Sequence, residues 1–396
     1  MSTKINNVIN VGGYAKAKRG YLFENLYPVP YGAAYNSYVI SDKKTVLFDT
    51  ADERVRTQYF KNLKALKTAP DYIVITHIEP DHSAHISRTV DMFPGARLIL
   101  NAKSQKFALQ FYPSITDKIN SALIVSDGEE LNIGETTLKF IFAPMVHWPE
   151  VMVVLATSET QKLLFSADAF GAFGFDKESA ANEFKTGYFD AYRRYYTNIV
   201  GKYGASVNAL FAKLPCIPDV ILPLHGEVLE GESINTIIDL YKKWANYEPD
   251  TKGVVIFVGS VYGHTAQAAR FLKKSLSVSG INTCIVDTSS TDVSYAISLA
   301  FAFSHIVFAS STYNMEALPP IKHLLSELKS RGFKNRTAFI IENGTWAPNA
   351  AKYIKEALPS LDYQDTVTFL SDPSHIKTCA DLIRLAKNIK QSIESV

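Results

Sequence analysis

Cysteine is scarce in this chain: three in 396 residues, Cys216, Cys284 and Cys379, far apart and without a CxxC pair. Such a set makes neither a disulfide framework nor a cysteine metal knuckle. Buried thiols in a cytoplasmic protein are the expected reading. No apolar run reaches the roughly eighteen residues that a membrane span requires. The opening residues, MSTKINNVINVGG, lack the basic-then-apolar layout of a secretory signal. An excess of one charge is missing too, with 41 Lys and Arg against 39 Asp and Glu, so neither nucleic acid nor an anionic membrane surface is expected as a partner. Internal repeats and low-complexity tracts are likewise absent. What is present is apolar material, 47% of the chain, enough to fill the cores of roughly two or three domains.

The apolar runs change character near residue 250. Before it, short runs such as YNSYVI, TVLFDT, DYIVIT, ARLIL, LKFIFAPMV, VMVVLAT, KLLFSAD and VILPL follow one another closely. Turn signals separate several of them (Ser41-Asp-Lys-Lys44, Ser126-Asp-Gly128, Asn132-Ile-Gly134), which predicts antiparallel hairpins. Helical stretches, RTQYFKNLKAL and SINTIIDLYKKWANY, are interspersed, so residues 1–250 read as an α+β domain with more than one sheet. Beyond Tyr247–Gly253 the pattern is regular. Strand-like VVIFVG, NTCIVD, HIVFAS, TAFIIEN and TVTFL alternate with helix-like segments, which predicts an α/β doubly wound five-stranded parallel sheet over 251–396.

Four apolar runs of the first part end in a residue that binds metals: His77, His147, Asp168 and His225. Strand ends are where a rigid scaffold can aim reactive groups while a loop keeps them accessible. The first of these ends opens THIEPDHSAH, which adds Glu79, Asp81 and His82. Seven candidate ligands are too many for one ion. Two metals sharing a bridging carboxylate is the economical reading, with Asp168 as the bridge. His85, His264, His305, His323 and His375 stand alone and are expected to bind no metal.

The segment His77-Ile-Glu79-Pro-Asp81-His82 resembles the HxHxDH hallmark of the metallo-β-lactamase superfamily, whose two metals sit at the rim of an αββα sandwich. Here Glu79 stands where that motif has its second histidine. Together with His147, Asp168, His225 and a flavodoxin-like second half, this resembles a flavodiiron protein over essentially the whole chain. The exchange of imidazole for carboxylate makes the ligand set harder and more anionic, which suits iron better than zinc. The resemblance implies one iron on His77, Glu79, His147 and Asp168, and a second on Asp81, Asp168 and His225, with His82 either coordinating or swung away. It further implies that Tyr196, in RRYYTNIV, lines the substrate pocket in preference to its neighbour Tyr195. Many members carry a histidine ahead of the segment that here reads FENLYPVPYGAAYNSY; its absence predicts a more apolar pocket wall.

In the second half, the first strand runs into Ser260-Val261-Tyr262-Gly263-His264-Thr265 and then a helix. Ser260, Gly263 and Thr265 fit a flavodoxin phosphate loop, in which hydroxyls and amides at a helix start hold a phosphate. The loop has neither the GK[ST] of an NTPase nor GxGxxG, so one phosphate, and hence FMN, is expected. Two further loops fall where that fold builds its flavin pocket, Ser311-Thr312-Tyr313-Asn314 and Asn343-Gly344-Thr345-Trp346. Trp346 is expected against one face of the flavin ring, and Tyr313 against the other unless it merely packs.

The implied activity is reduction of O2 to water, of NO to N2O, or of both, at a diiron centre fed by FMN. An external donor, rubredoxin or a reductase, would supply electrons, since no rubredoxin-type CxxC pairs and no further flavin-reductase domain follow. A head-to-tail homodimer or a dimer of dimers is implied, so that FMN of one subunit meets the irons of the other. The competing reading is a zinc hydrolase of the metallo-β-lactamase type with an appended flavodoxin domain, in which a metal-bound hydroxide attacks a thioester or lactam.

Overall fold

The computed structural model describes residues 7–17, 20–174, 188–370 and 372–395. The chain divides into two compact units, Met1–Lys242 and Lys243–Val396. Helix Glu232–Ala245 carries it from one to the other.

The first unit holds two six-stranded sheets. Across one run Val8–Asn10, Tyr38–Ser41, Thr45–Phe48, Tyr72–Val74, Arg97–Asn101 and Leu123–Val125; across the other run Glu130–Asn132, Thr137–Phe142, Met152–Thr157, Lys162–Phe165, Val220–Leu222 and Leu229–Glu230. Tyr38, Ile40, Val46, Phe48, Val74 and Ile99 from the first share one core with Leu138, Phe140, Met152, Val154, Phe165 and Leu222 from the second. Phe48 stacks on Phe165 across the gap with ring centroids 3.7 Å apart. Each such ring taken from water contributes about 1.5–3 kcal/mol. Helices Ala102–Phe111 and Thr116–Asn120 cover the first sheet, and Gly204–Lys213 the second. With both faces covered, Met152–Thr157 is buried at every position but its last. This is the expected αββα sandwich.

Two of the three turn signals close hairpins. Ser41 faces Thr45, and Asn132 faces Thr137. The third does not: Leu123–Val125 runs parallel to Arg97–Asn101 in the first sheet, and Glu130–Asn132 begins the second. Ser126-Asp-Gly128 therefore carries the chain between sheets. Thr45–Phe48, Tyr72–Val74 and Arg97–Asn101 also pair parallel, because the helices between them return the chain to the same end.

The second unit is one sheet in the order Thr283–Asp287, Thr251–Gly259, Phe303–Tyr313, Thr337–Asn343, Asp362–Phe369, with all of these pairs parallel. Val255 and Phe257 belong to the apolar layer on one face; Val254, Ile256 and Val258 belong to the other. Helices His264–Val278 and Ile376–Ser395 and helices Val293–Ala302, Pro319–Ser330 and Ala350–Ala357 supply the two covers. The five strands and five helices expected for a doubly wound flavodoxin-like sheet are all present. The chain changes direction across the sheet between the first and third strands, where such folds open a crevice for ligand.

Candidate functional site

The strand ends of both sheets in the first unit converge. His77 follows Tyr72–Val74 of one sheet; His147 lies in the loop before Met152–Thr157, Asp168 follows Lys162–Phe165 and His225 follows Val220–Leu222 of the other. Their placement requires unusual backbone: Ala167, just before Asp168, has a φ of 51°, and Gly226, just after His225, a φ of 80°. An alanine in the left-handed region is strained, and such strain persists where surrounding structure enforces it.

The side chains form two groups, His77, Glu79, His147 and Asp168 in one, Asp81, His82 and His225 in the other, each with its ligand-type atoms within 4.8 Å of one another. Asp168 joins them. Its Oδ2 lies 3.1 Å from His147 Nε2 and 3.7 Å from His77 Nε2, while its Oδ1 lies 3.0 Å from His82 Nε2 and 3.5 Å from His225 Nε2. Glu79 Oε2 sits 3.1 Å from His77 Nε2 and 3.0 Å from His147 Nε2. Asp81 Oδ2 is 3.3 Å from His82 Nε2 and 3.2 Å from His225 Nε2. His82, whose place was open from the sequence, is thus turned into the second group.

Whether these residues suit cations can be judged from what they leave unsatisfied. Both carboxylate oxygens of Asp81, Oδ1 of Asp168 and Nδ1 of His82 are buried without a hydrogen-bond partner among the described residues, an arrangement too costly to leave uncompensated. The Nε2 atoms of His82 and His225 face each other at 2.9 Å. Two such nitrogens need a proton or a cation between them. Imidazole and carboxylate donors with no sulfur fit a pair of hard to borderline divalent ions.

Electrostatics follow from this crowding. Burial disfavours a charged Glu79, yet hydrogen bonds from His147 and His77 hold it down at about 2. Burial also opposes charge on His147 and His225, but Asp168 and the other carboxylates outweigh it and push both up to about 9. Asp168 is held well below the usual carboxylate range because the charges of His82 and His225 and the His147 hydrogen bond overcome its burial.

Three residues that the sequence did not single out orient this group. Glu150, fully buried, accepts from His77 Nδ1 at 2.8 Å and from the Ile78 amide at 3.0 Å. That fixes the His77 tautomer and leaves Nε2 free to ligate, as carboxylate–histidine–metal arrangements require. Asp49 accepts from the Thr76 amide at 2.7 Å and the Thr76 hydroxyl at 2.6 Å, pinning the strand end before His77. The Ala34 carbonyl accepts from His225 Nδ1 at 2.8 Å. In HWPE, the proximity of Glu150 to His147 is the one hint the sequence offers, and the partner turns out to be His77.

The two tyrosines proposed from the sequence for the pocket wall have different neighbours. Tyr196 packs edge-on against Tyr241, with centroids 4.9 Å apart. Its neighbour Tyr195 instead lies against His225 at 5.5 Å, with a buried hydroxyl that makes no hydrogen bond among the described residues. Helix Phe189–Ile199 turns about 100° per residue, so the two adjacent tyrosines point in different directions. Burial, then the charges of Glu79, Asp81 and Asp168, push the carboxyl of Glu24 up to about 8.

In the second unit the three expected loops meet at the carboxyl ends of Thr251–Gly259, Phe303–Tyr313 and Thr337–Asn343. Ser260 Oγ accepts from the Gly263 amide at 3.1 Å, and Gly263 has a φ of 92° with open space where a side chain would stand. It precedes the fifteen-residue helix His264–Val278, whose start carries no side-chain cap. Uncapped amides at a helix start beside a bare glycine have the geometry that suits a phosphate. Thr265 and Ser311, both buried, bond to each other at 2.9 Å. The Thr312 hydroxyl accepts from the amides of Asn349 and Ala350, and Asn343 Nδ2 donates to the Phe369 carbonyl, so these two side chains brace the loops. Asn314 has a φ of 50°, and a side chain at Gly344 would press on Pro348. Val261, Tyr262, His264, Tyr313, Thr345 and Trp346 stand exposed around the rim, with Tyr262 91% and Trp346 89% accessible. Two nearly bare aromatic rings beside a phosphate cradle fit a flat, singly phosphorylated cofactor.

Residues 33–226 match a family model described as ODP family beta lactamase. The chain is 30% identical over 362 residues to an uncharacterized protein of Methanocaldococcus jannaschii, covering 89% of this chain and 90% of that protein. It is 30% identical over 350 residues to the anaerobic nitric oxide reductase flavorubredoxin of Aliivibrio salmonicida, covering 85% of this chain and 68% of that one. In fold it is similar to the rubredoxin oxygen:oxidoreductase of Desulfovibrio gigas, with a TM-score of 0.87, 24% identity, and 100% of this chain and 99% of that one covered. The flavodiiron protein from Giardia intestinalis gives a TM-score of 0.86, also at 24% identity, over 100% of this chain and 98% of that one.

Proposed function

The chain belongs to the flavodiiron protein family, and from that premise we propose that it is an oxidoreductase reducing O2 to water, NO to N2O, or both. Two iron ions would be held by His77, Glu79 and His147 on one side and Asp81, His82 and His225 on the other, with Asp168 between. FMN would be held by Ser260–Thr265 and the loops at Ser311–Asn314 and Asn343–Trp346. When bound, the flavin and the metal pair supply the electrons of the reaction. The observation that carries the reading is Asp168, whose two oxygens face different groups of ligands.

The chain's own residues have definite tasks in this scheme. Glu79 contributes a negative charge where a hydrolytic zinc site of this type would have a neutral imidazole, which favours iron. Glu150 and the Ala34 carbonyl keep His77 and His225 in the tautomer that ligates through Nε2. Tyr195 and Phe23 close the wall beside His225 and exclude bulk water. Electrons would come from a rubredoxin or a reductase. A two-fold pair of chains facing flavin to metals is part of the proposal.

The test is anaerobic stopped-flow of fully reduced holoprotein against O2 and against NO. Rapid flavin reoxidation by either gas, without released peroxide in the case of O2, is expected. Failure with both, or zinc at full occupancy in protein grown with ample iron, refutes the reading.

Metal uptake should depend on pH in a defined direction. With folded values of about 9, His147 and His225 each hold a proton at neutral pH that an incoming ion must displace. Apparent affinity should therefore rise by roughly tenfold per pH unit for each displaced proton up to about pH 9, then level off. In metal-free protein the same two groups stabilise the fold below 6.5, their ordinary value, and lose that contribution as pH rises through about 9. Competition titrations with a metal chelator, and thermal melts of the apoprotein across this range, measure both.

A further inference from the structure

His225 sits in a turn, Pro223-Leu-His-Gly226, that leaves strand Val220–Leu222. Regular pairing ends there, so the buried backbone groups of the turn need partners from elsewhere. Three of its four carbonyls find them on one residue. Asn36 Nδ2 donates to the Pro223 carbonyl and to the Gly226 carbonyl, each at 2.9 Å. The Asn36 backbone amide donates to the Leu224 carbonyl at 2.8 Å. The two side-chain bonds straddle His225, one before it in the chain and one after. Asn36 itself is buried, at 4% exposure.

Its surroundings also settle which end of the Asn36 amide faces the turn. Asn10 Oδ1 accepts from the Gly12 amide at 2.9 Å, so the other end of Asn10, Nδ2, donates to Asn36 Oδ1 at 2.9 Å. With its oxygen taken, Asn36 presents both hydrogens of its NH2 to the turn. Gly12 must lack a side chain for this approach, since a Cβ there would lie 2.2 Å from the Tyr35 carbonyl oxygen and 2.7 Å from Asn36 Cα. Aspartate would match the shape of Asn36 but offers no donor when ionised, and serine offers only one.

The ring of His225 is held by the same segment of chain. The carbonyl of Ala34, two residues before Asn36, accepts from Nδ1 at 2.8 Å, and Tyr35 lies edge-on at 5.4 Å. Nε2 is thereby aimed into the second ligand group, 3.2 Å from Asp81 Oδ2 and 3.5 Å from Asp168 Oδ1. Among the described residues, the bonds of Asn36 into the site all go to the turn of His225.

We propose that Asn36 is the positioning residue that fixes His225 for the second metal ion. The inference rests on the two-metal oxidoreductase reading above. Backbone bonds on both sides of His225 set where its Cα stands, and the Ala34 carbonyl sets how its ring is turned. Without the Asn36 donors, two buried carbonyls lose their partners and the turn must rearrange to recover them. The ion held by His77, Glu79 and His147 does not depend on that turn, so the effect should fall on one ion of the pair.

The experiment titrates metal-free protein anaerobically with ferrous iron against a competing chelator and resolves the two binding steps. In Asn36→Asp the second step should weaken by about 10–100-fold, as on loss of a partner that orients a ligand, with the first step within about twofold of wild type. Excess ferrous iron should refill the site and restore part of the turnover. Asn10→Asp reaches the same bonds from an exposed position: the new carboxylate draws the Asn36 NH2 toward itself and turns the amide oxygen to the carbonyls. It should weaken the second step in the same direction, and it decides the matter should Asn36→Asp not fold. Tyr59→Phe removes a buried 3.2 Å hydrogen bond to Thr89 in the same unit and should lower Tm without weakening either step. Wild-type binding of both ions in both asparagine variants, equal weakening of the two steps, or the same second-step loss in Tyr59→Phe overturns the role of Asn36 alone. A wild type that binds two ions but reduces neither gas overturns the functional reading alone, and one that binds fewer than two overturns both.

Discussion

Asp168→Asn is expected to abolish reduction of both gases and to strip the protein of metal, while leaving the flavin reducible. Asp168 is buried, with one oxygen 3.1 Å from His147 Nε2 and the other 3.0 Å from His82 Nε2. An amide in its place keeps one acceptor oxygen but turns an NH2 toward one ligand group, and it removes the charge that both groups share. Loss of a partner that merely orients a ligand costs about 10–100-fold in metal affinity. A residue common to both ions should exceed the upper end of that range. Iron per chain, measured beside FMN per chain, gives the result directly. Since the flavin loops lie in the other compact unit, FMN content and its reduction by dithionite should be unchanged. Two irons retained with near wild-type turnover would show that Asp168 does not bridge.

The second large effect is a change of metal. Glu79→His restores the HxHxDH pattern and should shift the site from iron toward zinc. Glu79 Oε2 is shared between the His77 and His147 ring nitrogens at 3.1 and 3.0 Å, and its charge is so well supported that its value falls to about 2. Imidazole removes that charge from a buried site and softens the ligand set, and zinc outranks ferrous iron in intrinsic affinity for such donors. Protein produced with both metals present should carry zinc in excess over iron, and reduction of O2 and NO should drop more than about a hundredfold, because zinc does not change oxidation state. Elemental analysis together with oxygen and NO electrodes checks both halves. A variant that keeps its iron and its turnover would show that the glutamate is not what selects the metal.

Each histidine or carboxylate in those two arguments was legible from the sequence because it either ends an apolar run or follows His77 within THIEPDHSAH. The five alternating strands and helices after residue 250 were legible for a similar reason, since helix and strand periods are local properties of the chain. Glu79 was informative because a single carboxylate in a motif of imidazoles alters charge and softness wherever the motif is folded.

Other features depend on contacts between distant segments. Tyr195 and Tyr196 are adjacent in an almost wholly buried helix, and the sequence contains nothing that tells which one the packing of Phe23 and Phe173 will turn toward His225. Glu150 follows His147 closely but serves His77, which is brought beside it by the meeting of two sheets. The Ser126-Asp-Gly128 turn reads like a hairpin, and only the partners of the strands on either side reveal that it passes between sheets. The sequence by itself determined the kinds of residue at the strand ends and the order of elements that carries them. Tertiary structure alone decided which atoms face one another, because strand ends far apart in the chain converge only when two sheets close over a shared core.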